Sequence, residues 1–180
     1  PDHGTDGNTL LRRAAVAMYE AKAHGSSFEV YDQQTDKYST RRLAMAAELR
    51  SAIETDEVRL AYQPKAEIES RTIIGVEALA RWRHPRHGQV PPDEFVELAE
   101  RTGLIGPLTE HVLRTALRDI GRLGDAGIGM HVSVNIAASS LADEEFPGVV
   151  ARLLDEYDVS PQSLILEVTE TTMMTDSARA

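Results

Sequence analysis

Gly75-Val-Glu-Ala-Leu-Ala-Arg-Trp-Arg-His-Pro85 decides how the rest of the chain is read. From Ile73 to Trp82 the residues are mostly apolar or β-branched and alternate with period 2, so they predict a strand. Ile73, Gly75, Glu77, Leu79 and Arg81 then share one face, and Ile74, Val76, Ala78, Ala80 and Trp82 the other. A carboxylate inside such a strand is costly to bury unless it is paired, hydrogen-bonded or bound to a metal. Glu77 therefore needs a chemical reason, and Arg81 lies on the same face.

Upstream, Val58 to Ile68 predicts a strand with Leu60 and Tyr62 on one face and Arg59, Ala61 and Gln63 on the other, turning near Glu69-Ser70-Arg71. Downstream, Pro91-Pro92-Asp93 opens a helix over 94–101 that stops at Gly103. A longer helix runs from Pro107 to about Leu123, with Leu108, Val112, Leu113, Ala116, Leu117, Ile120 and Leu123 as its buried stripe. Met130 to Ile136 reads as a strand in which His131, Ser133 and Asn135 alternate with apolar residues. Phe146 to Tyr157 reads as a helix, and Leu164 to Thr169 as a strand with Ile165, Glu167 and Thr169 on one face. Strands separated by helices imply right-handed crossovers and a largely parallel sheet. No Gly-rich phosphate loop follows any strand, which disfavours a dinucleotide-binding fold and leaves a TIM-like (βα)8 barrel. Such barrels need eight strands and about 250 residues. Only four strands follow Val58, so the expectation is an α/β barrel truncated to about half its circuit.

Before the barrel, Thr9 to His24 predicts a helix capped by Asn8 or Thr9 and stopped by Gly25, with Leu10, Leu11, Ala14, Ala17, Met18 and Ala21 at helical spacing. Phe28 to Tyr31 reads as a short strand. Asp32 to Thr40 is polar and without apolar period, a linker into a helix over 41–54 with Leu43, Ala46, Ala47, Arg50 and Ile53 on one stripe. The predicted organisation is 1–31, a linker 32–40, and 41–180.

Composition is that of an ordinary globular domain, with 42% apolar and 27% charged residues. No apolar run is long enough to span a membrane, and no signal peptide is apparent. The absence of cysteine removes disulfides and thiolate metal sites and points to the cytoplasm as compartment. A net charge of −10 argues against a partner that is a nucleic-acid polymer or an anionic membrane. Against that background, Arg81, Arg83, His84, Arg86 and His87 form a basic island, either a solvated loop or a place to meet phosphate. His84, His87 and His111 suggest no site of their own, and zinc-ligand spacing is missing.

In a barrel of this kind, active-site groups sit at the C-terminal ends of several strands. Glu77, Asn135 and Glu167 each lie near the end of their own strand, on a face that alternates with apolar residues. Singly, the asparagine could satisfy a nearby backbone group and Glu167 could face water. Together, two carboxylates and an amide oxygen form a hard-oxygen set suited to Mg²⁺ or Mn²⁺ rather than zinc. Such ions neutralise a phosphodiester and lower the pKa of bound water, which makes metal-assisted hydrolysis the natural chemistry.

Glu77-Ala78-Leu79 followed by Ala80-Arg81-Trp82 resembles the signature of EAL domains, bacterial phosphodiesterases that linearise cyclic di-GMP. The resemblance continues in order through Tyr62-Gln63-Pro64, Pro92-Asp93-Glu94-Phe95-Val96, Ala99-Glu100-Arg101-Thr102-Gly103-Leu104-Ile105, Val132-Ser133-Val134-Asn135 and Leu166-Glu167-Val168-Thr169-Glu170. It implies a barrel fold, cyclic di-GMP as ligand, Mg²⁺ or Mn²⁺ as cofactor, and Glu77, Asn135 and Glu167 as catalytic metal ligands. Gln63, Leu79 and Arg81 would contact substrate, and Glu170 would anchor a loop; a homodimer through the EAL domain is one assembly it allows. By residue type alone, Gln63 is an ordinary polar position. The string from Leu10 through Lys22, with Gly25 and Val30-Tyr31, resembles the last helix and strand of a GGDEF domain, the cyclase that makes cyclic di-GMP; an unrelated helix–strand cap is the alternative. That family's acidic metal-binding hairpin is absent, so no cyclase chemistry is expected of 1–31.

The EAL family completes its site with an adjacent Asp pair and a later Lys, Glu and Gln. The chain contains no Asp-Asp, and its last lysine is Lys65. The 180 residues are therefore expected to hydrolyse cyclic di-GMP poorly and to self-associate through open sheet edges. Three functions remain open at this point: part of an EAL phosphodiesterase, a non-catalytic cyclic di-GMP receptor, and a ligand-free interaction fragment.

Overall fold

The computed structural model describes residues 5–24, 26–32 and 40–168, and the chain divides into two compact units, Pro1–Ala47 and Glu48–Ala180. In the first unit, α1 (Gly7–His24) starts earlier than the sequence predicts. The cap is Asp6, whose Oδ1 accepts the Thr9 N–H at 2.9 Å; a carboxylate there satisfies a donor that the first turn leaves open. Of the expected apolar stripe, Ala17 and Ala21 are buried whereas Leu10, Leu11 and Met18 are exposed. Tyr31 shares a small buried cluster with Ala17, and the Arg13 guanidinium lies 4.8 Å from its ring centre. Phe28 to Tyr31 forms no strand among the described residues: β-propensity alone does not make a strand where no second strand is paired with it. Gly25 and linker residues 33–39 lie outside the described residues.

The division between units falls inside α2 (Thr40–Glu54). On its C-terminal half Leu49, Ala52 and Ile53 are buried, and Arg50, expected on the stripe, is exposed, as a charge with no buried partner should be.

The second unit holds one mixed sheet. β1 (Val58–Ala66) and β2 (Ile73–His84) form an antiparallel hairpin in which Gln63 stands opposite Glu77. The turn between them carries Arg71 at φ 55°. β2 continues through His84, past the expected end at Trp82, because β3 (Gly88–Val90) folds back on it and pairs Trp82 with Val90. So short a strand has no detectable period, and the sequence reading takes this segment as loop. α3 (Pro92–Thr102) ends at Gly103, whose φ of 71° lets its N–H turn back to the Ala99 carbonyl. α4 (Ile105–Asp125) then leads to β4 (His131–Ile136), parallel to β2. After α5 (Ala138–Leu141), α6 (Phe146–Glu156) and a 3-10 turn at Pro161–Ser163, β5 (Leu164–Val168) lies parallel to β4. The path is β1-β2-β4-β5, with β3 on the end of β2: mixed rather than largely parallel, and five described strands rather than four.

One face of this sheet is apolar. Ala78, Trp82, Val132, Val134 and Ile136 are buried there, and so are Leu113, Ala116 and Leu117 of α4, which packs on β1, β2 and β4. Each buried aliphatic side chain of this kind contributes about 1.5–3 kcal/mol. Trp82 meets Phe95 of α3 edge-on, ring centres 6.2 Å apart. The helices thus clamp one face and leave the alternate residues of the same strands facing the other way.

Candidate active site

Because β1 pairs with β2, β2 with β4 and β4 with β5 in defined registers, the second face is fixed residue by residue. Gln63 and Lys65 of β1, Glu77, Leu79 and Arg81 of β2, Ser133 and Asn135 of β4 and Glu167 of β5 all belong to it. Asn135 Nδ2 donates to Glu77 Oε1 at 2.7 Å, so the strand-end amide and the first carboxylate are in direct contact. Glu167 stands opposite Asn135 on the next strand. Its Oε1 accepts from Lys65 Nζ at 2.5 Å, and the same ammonium donates to Ser133 Oγ at 2.7 Å. Lys65 is three strands from Glu167, about 14 Å in a flat sheet at about 4.8 Å per strand. No lysine side chain spans that distance, so the sheet curls with this polar face on its concave side.

The lysine also shapes the electrostatics. Its hydrogen bond, then that of Ser133, holds the Glu167 carboxyl below the usual carboxylate range, against a smaller opposing effect of burial. Glu167 remains about a third exposed, so solvent screens much of this attraction.

These geometric features stand beside direct comparison with known proteins. The family profile described as EAL domain matches residues 46–180. The chain belongs to the EAL domain family. A cyclic di-GMP phosphodiesterase of Pseudomonas aeruginosa is 36% identical over 169 residues, covering 93% of this chain and 29% of that protein. The cyclic di-GMP phosphodiesterase PdeR of Escherichia coli is 34% identical over 175 residues, covering 97% of this chain and 26% of that protein. The solved PaMucR phosphodiesterase in complex with c-di-GMP is 40% identical, with a TM-score of 0.69 over 75% of this chain and 55% of that one. The chain thus spans between a quarter and a third of the length of these two curated relatives.

In this EAL chain the remaining sequence-predicted residues are distributed as follows. Gln63 is exposed, opposite Glu77 in register. Leu79 and Arg81 line a cavity of about 470 Å³ with Asn135, walled by Val96 and Ile105 of α3 and α4 and bordered by Glu97. The Arg81 guanidinium donates to the Ala80 carbonyl at 2.9 Å, which folds it back along its own strand. Glu170 lies outside the described residues.

The basic island divides. Arg81 lines the cavity, whereas His84 is buried, not a solvated loop residue, and ties the end of β2 to α2. Its Nδ1 accepts the backbone N–H groups of Arg86 at 3.0 Å and His87 at 3.3 Å, which leaves the ring proton on Nε2, 2.7 Å from Glu48 Oε2. Arg86 pairs with the other oxygen of Glu48. Glu48, His84 and His87 bring ligand-type atoms within 4.8 Å of one another. A histidine that binds metal donates its other ring N–H outward, and here that position faces two N–H donors, so the group is a latch rather than a cation cage. His111 is likewise buried, its Nε2 donating to the Val58 carbonyl at 2.7 Å.

The concave face offers the better donor set. Glu77, Asn135 and Glu167 present oxygen only, and the Glu77–Asn135 bond uses the amide N–H, leaving the Asn135 Oδ1 and a second oxygen on each carboxylate to accept. Such groups fit a hard divalent cation such as Mg²⁺ or Mn²⁺. The sequence reading misses Lys65 and Ser133, although period-2 alternation puts Lys65 on the face of Gln63 and Ser133 on the face of Asn135.

Proposed function

We propose that this chain carries part of a phosphodiesterase site for cyclic di-GMP, opening one ester of the cyclic dinucleotide to the linear form with Mg²⁺ or Mn²⁺. The observation that supports this most is the placement of Glu77, Asn135 and Glu167 on one face of three neighbouring parallel strands, with Glu77 and Asn135 already in contact. Asn135 and Glu167 lie near the C-terminal ends of β4 and β5, and Glu77 lies in the stretch of β2 that pairs with β4 rather than at the strand end that the sequence predicts. Relatives named cyclic di-GMP phosphodiesterases support the substrate class.

On this reading Glu77, Asn135 and Glu167 hold the cation. When bound, it supplies charge neutralisation at the phosphoryl group and a water of lowered pKa. Arg81, at the cavity that Leu79 also lines, binds and orients a phosphate, and Gln63 reaches the same substrate from the neighbouring strand. The apolar walls of the cavity from Val96 and Ile105 exclude water beside the phosphate. With no Asp-Asp pair and no lysine beyond Lys65, the 180 residues alone hold no evident group to take the proton of the attacking water. Slow turnover follows, since a positioned general base contributes typically 10²–10⁴-fold. Residues 1–31, read as a GGDEF-like tail, add no chemistry to it.

Calorimetric titration of cyclic di-GMP with and without Mn²⁺, alongside chromatography of the products, tests the proposal. Metal-dependent binding that disappears in Glu77→Gln, with linear dinucleotide as the slow product, is the expected result. A second reading, a receptor that binds without hydrolysis, draws on the Lys65–Glu167 pair, which already neutralises one carboxylate without metal. Tight binding indifferent to Mn²⁺ and to Glu77→Gln would favour that receptor and overturn the hydrolytic reading.

A further inference from the structure

Lys65 stands where no local rule of the sheet requires it. It leaves β1, crosses the concave side of β2 and meets β4 and β5, bonded to Ser133 Oγ at 2.7 Å and Glu167 Oε1 at 2.5 Å. The residue opposite it in register on β2 is Gly75, and the place a side chain would take there is filled by the His131 ring of β4. Ser133 is fully buried, so its hydroxyl is a fixed acceptor that aims the ammonium at the neighbouring carboxylate. The lysine itself is about a third exposed, and solvent is within its reach.

Resting on the reading of Glu167 as a cation ligand, we infer that Lys65 is an internal competitor for that carboxylate: it occupies Oε1, leaves a divalent ion only the second oxygen, and must be displaced before both oxygens can serve. An ammonium at 2.5 Å and a cation at about 2.0–2.6 Å cannot share one carboxylate oxygen without close contact between two positive charges. Lys65 therefore holds the carboxylate in place when metal is scarce and raises the metal concentration at which the site fills. Its role is positioning and selectivity, and no reacting atom needs to touch it. Hydrogen bonding to Ser133 sets how firmly it competes: a side chain with two acceptors is harder to displace than one with a single acceptor.

The test is titration of Mn²⁺ into the whole 180-residue chain and its variants, read by calorimetry and by the electron paramagnetic resonance of free Mn²⁺, with thermal unfolding to check that each variant folds. Lys65→Met should bind Mn²⁺ more tightly than the wild type, by a factor in the roughly 5–150-fold range usual for coupled ligands. Lys65→Arg keeps the charge and should return affinity towards the wild-type value, and Ser133→Ala should tighten it by less than Lys65→Met. Unchanged or weaker binding in Lys65→Met, while Glu77→Gln still abolishes it, would overturn the role of Lys65 and leave the metal site standing. Binding that survives Glu77→Gln in both backgrounds, or no binding in any variant, would overturn the metal site and this inference with it.

Discussion

The two faces of the sheet are built from alternate residues of the same strands, yet they do different work. On the convex face Val132, Val134 and Ile136 are closed over by α4, and burial of apolar surface holds the unit together. One position away along the same backbone, Ser133 and Asn135 turn into a half-open polar bowl with Glu77, Lys65 and Glu167. Clamping one face lets the other carry groups that burial would otherwise penalise. Substitutions should therefore separate into those that cost stability and those that cost ligand binding.

The largest loss of stability is expected on the convex side. Leu113→Ala removes a fully buried side chain of α4 and should destabilise by about 2–5 kcal/mol. Chemical denaturation measures this, and the folded fraction should still bind Mn²⁺. If Leu113→Ala cost nothing, the helix clamp would not be what stabilises the sheet.

Gly75→Ala sharpens the contrast, because it is a concave-face position that should nevertheless cost stability. A Cβ there would lie 2.4 Å from His131 Cδ2 and 2.7 Å from the His131 carbonyl oxygen. The ring can swing away, but the backbone oxygen moves only with its strand, so about 1–3 kcal/mol is expected in the same denaturation assay. A fully stable Gly75→Ala would mean that β2 and β4 are less closely held than the register implies.

A smaller and pH-dependent effect belongs to Tyr62, on the convex side of β1. Its hydroxyl donates to Asp119 Oδ2 of α4 at 2.8 Å, and burial first, then this carboxylate, push its pKa well above the usual tyrosine value. A raised folded pKa gives stability that is complete below the unfolded value near 10 and is lost as pH rises above it towards the folded one. Tyr62→Phe should cost about 1 kcal/mol at neutral pH and flatten the decline above pH 10. Parallel alkaline profiles for both proteins would remove Tyr62 from the account.

The same contrast explains what was legible in the sequence. Period-2 alternation in three strands was enough to select Glu77, Asn135 and Glu167 and to put them on one face, and helical spacing identified the buried side of α4. Segments too short for any period were not readable: β3, with the two residues it adds to β2, and α5. The burial of His84 was hidden for the same reason, since a latch to Glu48 on α2 depends on residues 36 apart. Lys65 was missed because its contact with Glu167 spans three strands and depends on curvature, a property of the assembled sheet rather than of any one strand. Phe28–Tyr31 failed in the opposite direction: its local preference for extended backbone does not become a strand among the described residues.

The central claim is that the concave face is a cation site supported by an independent apolar core. Thermal unfolding of the wild type and Glu77→Gln, each with and without Mn²⁺, tests it most directly. Mn²⁺ at a hundredfold excess over its dissociation constant should stabilise the wild type by about 2.7 kcal/mol, visible as a higher midpoint. Glu77→Gln should unfold at the wild-type temperature or slightly above when metal is absent, and should not respond to Mn²⁺. An equal Mn²⁺-induced rise in Glu77→Gln, or a Glu77→Gln chain that no longer folds, would contradict the division of labour between the two faces.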